Sequence, residues 1–418
     1  MSRKDIEIMA PVGSYESLMA AIQGGANSIY FGIEKMNMRA HSSNNFTFDD
    51  LEKIVGICNE NNIKSYLTIN TVVYDTEIGL MQEIVDAAKQ NNITAVIASD
   101  ISVINYARKV GVEVHISTQL NVSNIESLKF YAQFADVVVL ARELSLDQVS
   151  EISKAIKDQN IKGPAGNLVK IEMFIHGALC MAVSGKCYLS LHEKNSSANR
   201  GACMQTCRKA YVVTEKESGN QLEIDNEYIM SPKDLCTIGF LNKVLDAGVS
   251  VLKIEGRARP AEYVKTVTEC YNEATVAYLE KTYDEEKINN WITRLSAVFN
   301  RGFWDGYYLG QKLGEWSHKY GSRATKRKIY IGKTTNFFTK INVAEFLIES
   351  HDLKIGDEIL ITGPTTGVVQ LIVNEIRVDM KNTEIAVKGA RCSVPIDTLI
   401  RRSDKIYKIV DAEKVKQQ

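Results

Sequence analysis

Four of the chain's eight cysteines fall within 28 positions, as Cys180-x6-Cys187-x15-Cys203-x3-Cys207. Thiolates select soft or borderline metals, so zinc and iron-sulfur clusters are the two physical candidates for such a group. Zinc ribbons hold each ligand pair on one tight turn with two to four intervening residues, whereas the first pair here is spaced by six. The wider gap, with Gly185 inside it, suits a loop around a larger body such as a 4Fe-4S cluster, each of whose irons takes one thiolate from its own direction. Zinc stays open as the alternative, as do four free thiols that merely fill space. Cys236 is close enough in sequence to replace one ligand, while Cys58, Cys270 and Cys392 sit in apolar periodic patterns and read as packing residues.

Charged residues frame the same region. Arg39, Arg200, Lys253, Glu255 and Arg257 are the candidates for substrate binding, since arginines grip carboxylates and phosphates through bidentate forks. Glu172, His176 and Arg142 are the candidates for catalysis. By the two-residue period of a strand, Glu172, Phe174 and His176 share one face and are expected to point inward together. Hydrolytic signatures are missing: His192-Glu193 is followed by Lys194-Asn195-Ser196, not by a zinc-protease helix, and no Gly-x-Ser-x-Gly elbow occurs. A cysteine nucleophile with His176 stays open, although a metal-held thiolate is not free to attack.

What must position these residues is a repeat of short β-branched runs and longer helical-period segments. Strands are expected at Ile6 to Ala10, Ser28 to Gly32, Lys64 to Ile69, Ala95 to Ala98, Glu113 to Ser117, Asp136 to Leu140, Lys170 to Ile175 and Val251 to Ile254. Helices such as Tyr15 to Gly24, Phe48 to Asn61, Glu77 to Asn91 and Ser145 to Gln159 lie between them. Eight such units predict an α/β fold, a (β/α)8 TIM-like barrel over residues 1–282, with a Cys-rich insertion at 177–234. A doubly wound sheet is the competitor, but Ala10-Pro11-Val12-Gly13-Ser14 after the first strand is no dinucleotide fingerprint. Barrel active sites lie at the C-terminal strand ends, where Asn70, Asp100, Gln119, Arg142, Glu143, His176, Glu255 and Arg257 fall.

A helical and aromatic-rich connector is expected at 283–325, with Phe303-Trp304-Asp305-Gly306-Tyr307-Tyr308 leading to Ser317-His318-Lys319-Tyr320-Gly321. Lys326-Arg327-Lys328 then opens a small β-barrel over 326–418. That last segment carries 16 Lys and Arg against 12 Asp and Glu, an excess compatible with RNA contact. The whole chain, at 50 basic and 51 acidic residues, does not coat nucleic acid by bulk charge. With 45% hydrophobic and 24% charged residues, a soluble globular protein is expected, and a cytoplasmic one, since no secretion signal or transmembrane run is evident.

The run Glu-x-Phe-x-x-Gly-Ala-Leu-Cys-x6-Cys-x-Leu-Ser, Glu172 to Ser190, resembles the signature of peptidase family U32, the collagenase-like proteins. Met9-Ala10-Pro11-Val12-Gly13, Asn37-Met38-Arg39-Ala40, Ser231-Pro232-Lys233-Asp234-Leu235-Cys236 and Lys253-Ile254-Glu255-Gly256-Arg257 extend the likeness over nearly the whole chain. The resemblance implies two activities. One is proteolysis, reported as collagen degradation with no agreed nucleophile. The other is oxygen-independent hydroxylation of tRNA, ribosomal RNA or a quinone precursor by members that hold a 4Fe-4S cluster on four cysteines, matched here by Cys180, Cys187, Cys203 and Cys207. In layout the chain is similar to the tRNA hydroxylation proteins, which form 5-hydroxyuridine at the wobble position and depend on prephenate. That likeness implies tRNA and a small dicarboxylate such as prephenate as partners. A protein partner for the modification also stays open, with this chain as a scaffold subunit.

Overall fold

The computed structural model describes residues 2–40, 45–210, 212–214, 216, 217, 221, 222, 230–310, 314–317 and 321–413. Seven parallel strands come first, β1 (Glu7–Pro11), β2 (Ser28–Phe31), β3 (Lys64–Ile69), β4 (Ala95–Ala98), β5 (Glu113–Ile116), β6 (Val137–Val139) and β7 (Lys170–Ala178). After the insertion and a short strand β8 (Asp234–Cys236) comes β9 (Val251–Ile254). Strand β9 pairs with both β1 and β7, so the eight parallel strands close into a barrel.

Alternation along the strands separates two cores. Outward residues such as Ile8, Ile29, Leu67, Val96, Val138 and Leu252 pack under the helices, whereas Met9, Tyr30, Tyr66, Ile97, Val137 and Val251 form a separate cluster inside the barrel. The helices follow from caps and apolar stripes. Ser14, Asp100, Asn124 and Ser145 each accept a backbone N–H at the start of α1 (Tyr15–Gln23), α4 (Ile101–Val110), α5 (Ile125–Ala132) and α6 (Leu146–Asp158). Gly111 in the left-handed region ends α4. The long helix α9 (Ala261–Leu279) buries Tyr263, Val264, Val267 and Tyr271 against the wall after β9.

Two departures from strand alternation shape the mouth. Opposite Lys253 and Ile254 the register of β7 slips, pairing Lys253 with Phe174 but Ile254 with His176, so the extra residue turns His176 to the outside. Beyond the slip, β7 runs past the barrel rim and pairs antiparallel with β8, which pairs parallel with β10 (Phe303–Trp304). Gly177 lies at φ +105, and a Cβ there would fall 2.5 Å from the Glu255 carbonyl oxygen, so no other residue fits this crossing.

After α10 (Glu285–Ala297), eight strands from β11 (Lys326–Phe338) to β18 (Lys405–Asp411) form an antiparallel sheet. The intervening six are β12 (Val343–Ile348), β13 (Glu358–Gly363), β14 (Gly367–Ile372), β15 (Ile376–Val378), β16 (Lys381–Thr383) and β17 (Arg391–Pro395). Their order is β14-β13-β18-β11-β12-β17-β15-β16. The sheet has its own core around Ile331, Phe346, Ile359 and Ile406. Its end strands do not pair with one another, so the expected barrel is an open strand order here. Of the connector's Ser317-His318-Lys319-Tyr320-Gly321, residues 318–320 lie outside the described residues.

The sheet is fastened to the barrel wall rather than tethered beside it. Gln23 at the end of α1 donates to the Thr366 carbonyl (2.9 Å) and accepts from Val368 N–H (3.0 Å), and Lys328 pairs with Glu262 of α9 at 2.8 Å. Replacing Gln23 by Ala is expected to cost about 1–2 kcal/mol, read by the denaturant midpoint. An unchanged midpoint would show that this fastening is not energetically coupled to the fold.

Candidate functional site

A pocket opens at the C-terminal ends of the barrel strands. Tyr30, Thr68, Phe174 and Lys253 line its floor, Arg39, Arg142, Glu255 and Arg257 its sides, and the Cys-rich insertion its roof. Below the floor the barrel is polar. Lys253 Nζ lies 2.5 Å from Glu172 Oε1, and His115 Nδ1 stands 3.8 Å from Glu172 Oε2 while its Nε2 donates to Glu113 at 3.2 Å. Burial pushes the Glu172 carboxyl up, but Lys253 and then His115 override it and hold it below the usual range. Burial likewise opposes the charge on His115, and Glu113 and Glu172 override it, raising its pKa. Lys253 also sits 4.7 Å from the centre of the Tyr30 ring, a cation–π contact.

The cations at the mouth are not equivalent. Arg39 is bound to Glu255 at 2.9 Å. Burial would raise the Glu255 pKa, but Arg39 and Arg259 bring it down to about 2. The Asn37 side chain shapes the loop that delivers Arg39, accepting from Arg39 N–H and donating to the Ile33 carbonyl. Arg257, only 7% exposed, donates to Thr68 Oγ1 at 2.8 Å and has no carboxylate partner among the described residues. Burial lowers its pKa to about 10, so it stays charged at neutral pH in a place that favours an anion. Arg142 donates to Ser184 Oγ of the insertion at 2.7 Å and stands over the Phe174 ring.

All four cysteines of the quartet line this pocket, and all are free thiols. Burial raises the Cys207 pKa, and Cys180, Cys203 and Cys187 add to the rise while Arg208 opposes it. Among the described residues no three His, Cys, Asp or Glu side chains are grouped tightly enough to share one metal ion. The four thiols are thus brought to one pocket without meeting at a single ligation point. The insertion that carries them is stitched to the barrel. Arg208 donates to the Leu179 and Pro232 carbonyls (2.8 and 2.6 Å), joining both ends of the segment. Gly201, at φ +81, passes so near Asn37 that a Cβ would lie 2.3 Å from its carbonyl oxygen.

Three sequence expectations are corrected. His176 does not share the inward face of Glu172 and Phe174: after the register slip it is buried outside the barrel, within 6 Å of the Tyr263, Tyr271 and Phe303 rings. Desolvation drives its pKa down to about 3, so it is a neutral packing residue. Cys236, opposite His176 on β8, is buried beside the Tyr271 hydroxyl and is not part of the pocket lining. Arg200 serves as a clamp: it forks onto Glu77, donates to the Val72 carbonyl at 2.6 Å and stacks over Tyr74. Residues that motif reading missed are Tyr30 and Thr68, detectable only as inward positions of their strands, and Arg208, hidden beside Cys207.

A closed parallel barrel with a cysteine-bearing insertion over its mouth defines the class of protein. The family model described as Peptidase family U32 matches residues 13–318, and the chain belongs to that family. A Porphyromonas gingivalis protein named Collagenase is 63% identical over 408 residues, covering 98% of this chain and 99% of its own length. The tRNA hydroxylation protein P1 of Bacillus subtilis is 30% identical, covering 86% and 84%. The 23S rRNA 5-hydroxycytidine C2501 synthase of Escherichia coli is also 30% identical, covering 75% of this chain and 47% of its own length.

The buried charges yield two predictions. Glu172→Gln strands the Lys253 ammonium and is expected to cost about 3–5 kcal/mol, read by denaturant unfolding. The paired replacement Glu172→Gln/Lys253→Met should recover much of the loss. The second concerns acid. A folded pKa below the unfolded one gives stability that is complete above the unfolded value and lost as pH falls. His176 should thus account for a decline from pH 6.5 toward 3, and Glu255 for one from 4.5 toward 2. Unfolding midpoints against pH for His176→Gln and Glu255→Gln should flatten in those separate windows.

Proposed function

We propose that this chain is an iron-sulfur-dependent, oxygen-independent RNA hydroxylation factor that forms 5-hydroxyuridine at the tRNA wobble position, with prephenate or another small dicarboxylate bound at the barrel mouth. The observation that carries the reading is the convergence of Cys180, Cys187, Cys203 and Cys207 on one pocket whose walls hold Arg257 and Arg142, which among the described residues have no carboxylate partners. Four sulfurs on a single zinc, each bond about 2.3 Å long, would crowd within roughly 4 Å of one another. The six-residue gap between Cys180 and Cys187 suits a loop around a 4Fe-4S cluster better, and zinc is the alternative. When bound, such a cluster would supply redox chemistry and a Lewis-acidic site at the pocket wall.

The chain's own residues have distinct parts in this reading. Arg257 and Arg142 bind the carboxylates of the small molecule, and Arg39, held by Glu255, bounds the same space. Lys253 keeps the floor cationic because Glu172 fixes it under the pocket. The insertion, tied down by Arg208 and Arg200, limits water at the site, which strengthens each of these electrostatic contacts.

A second reading, a peptidase with a structural metal site, is favoured by the 63% identity to a protein named Collagenase. Against it, the barrel histidines are committed elsewhere: His115 to Glu113 and Glu172, His176 to the aromatic packing outside.

Two measurements separate the readings. Anaerobically purified protein should carry about four irons per chain and absorb broadly near roughly 400 nm, and Cys203→Ser should lose both. Mass spectrometry of nucleosides from total tRNA, with and without the gene, should show loss of a hydroxylated uridine. Colourless protein with one zinc, or an unchanged nucleoside profile together with gelatin cleavage by the pure chain, would overturn the hydroxylation reading.

A further inference from the structure

The basic run that opens the C-terminal segment is mostly engaged at home. Lys326 pairs with Glu358 at 2.6 Å and Lys328 with Glu262 at 2.8 Å, while Arg327 is exposed. Arginines gather elsewhere on the sheet, in a cleft between the end of β11 and the loop before β18. Thr335, Asn336 and Phe337 form one wall, and Arg391, Arg401 and Arg402 are on the other sides. The one acidic residue in the lining is Glu345, shared between Thr335 Oγ1 and, more loosely at 3.5 Å, Arg391. Neither the Arg401 nor the Arg402 guanidinium is paired with a carboxylate among the described residues.

The loop that presents them is built to stay in place. Asp404, 3% exposed, accepts from the Arg401 backbone N–H at 2.7 Å and from Thr366 Oγ1, and its own N–H donates to the Arg401 carbonyl. Ser403 takes a left-handed φ of +73 to complete the turn. The backbone that presents two adjacent arginines is thus fixed, beside a third arginine, on a cleft whose lining offers hydroxyl and amide groups. That chemistry matches a phosphodiester chain, which takes bidentate arginine contacts and polar side chains without regard to base identity. The wall also carries an aromatic side chain, Phe337, which adds an apolar surface to the cleft.

We infer that this cleft holds the sugar-phosphate backbone of the RNA at a distance from the reacting base. The inference rests on the RNA reading above and adds a second binding site to it. The site is sequence-independent, so it supplies affinity, while the barrel mouth selects the base.

The test uses the full chain and fluorescence anisotropy with unmodified tRNA over a salt series. Arg401→Ala/Arg402→Ala is expected to weaken Kd about tenfold and to lower the slope of log K against log salt by about 1.5, the value for two lost phosphate contacts. Arg401→Lys/Arg402→Lys should keep most of the slope. Lys381→Ala/Lys388→Ala, which removes equal charge from exposed positions outside the cleft, should change Kd less than twofold, and thermal midpoints should match throughout. Equal losses in both alanine pairs, or tRNA binding untouched by the arginine pair, would overturn the cleft while the RNA reading stands. A wild-type chain that binds no tRNA, or binds an acidic protein in its place, would overturn the cleft as an RNA site. The nucleoside measurement then judges the function independently.

Discussion

The seam between β7 and β9 is the constraint on which the rest depends. It closes the barrel, and every pair along it does a separate job. Val251 opposite Glu172 starts the parallel register, Lys253 opposite Phe174 puts an ammonium and an aromatic ring at the pocket floor, and the slip before Ile254 turns the chain outward. A strand that kept strict alternation would have carried His176 into the barrel. The slip instead packs that ring under Tyr271 and releases Gly177 and Ala178 to pair with β8. The insertion therefore leaves the barrel in a defined direction, beginning at Gly177.

Burying Glu172 at the centre of that seam is unfavourable unless its charge is matched. Lys253 and His115 match it from β9 and β5, and Tyr66, stacked 4.6 Å from His115, hydrogen-bonds Glu7 at the far end of the barrel. The interior is thus a ladder of compensated charge, with carboxylates below and cations above. Compensation ends at the mouth. Glu255 answers Arg39, but among the described residues Arg257 and Arg142 hydrogen-bond hydroxyls and have no carboxylate partner, a setting that favours an anion at the mouth.

The eight barrel strands were legible because parallel strands covered on both faces are short β-branched runs between capped helices, and the observed bounds fall within a few residues of the expected ones. Less was legible where tertiary geometry overrides period. His176 looked inward because a bulge leaves no mark in a single sequence. Arg200 looked like a ligand because its real partners, Glu77 and Val72, are distant in the chain. The cysteine quartet was legible by spacing alone. Its setting among Arg39, Arg142, Lys253 and Arg257 was expected too, whereas which of these cations are matched by carboxylates depends on contacts between distant segments.

The two names borne by relatives of this chain ask different things of the same pocket. Amide hydrolysis needs an activated nucleophile and a base within reach. His115 inside the barrel is held by two carboxylates and His176 outside it by aromatic packing, and the four cysteines line one pocket. Hydroxylation of a nucleobase through a bound cluster needs sulfur ligands, a docking place for an acidic small molecule and exclusion of water, and it makes no call on a histidine base. A buried guanidinium such as Arg257, which among the described residues has a hydroxyl but no carboxylate beside it, costs stability that a bound anion would offset, whichever bond is finally changed.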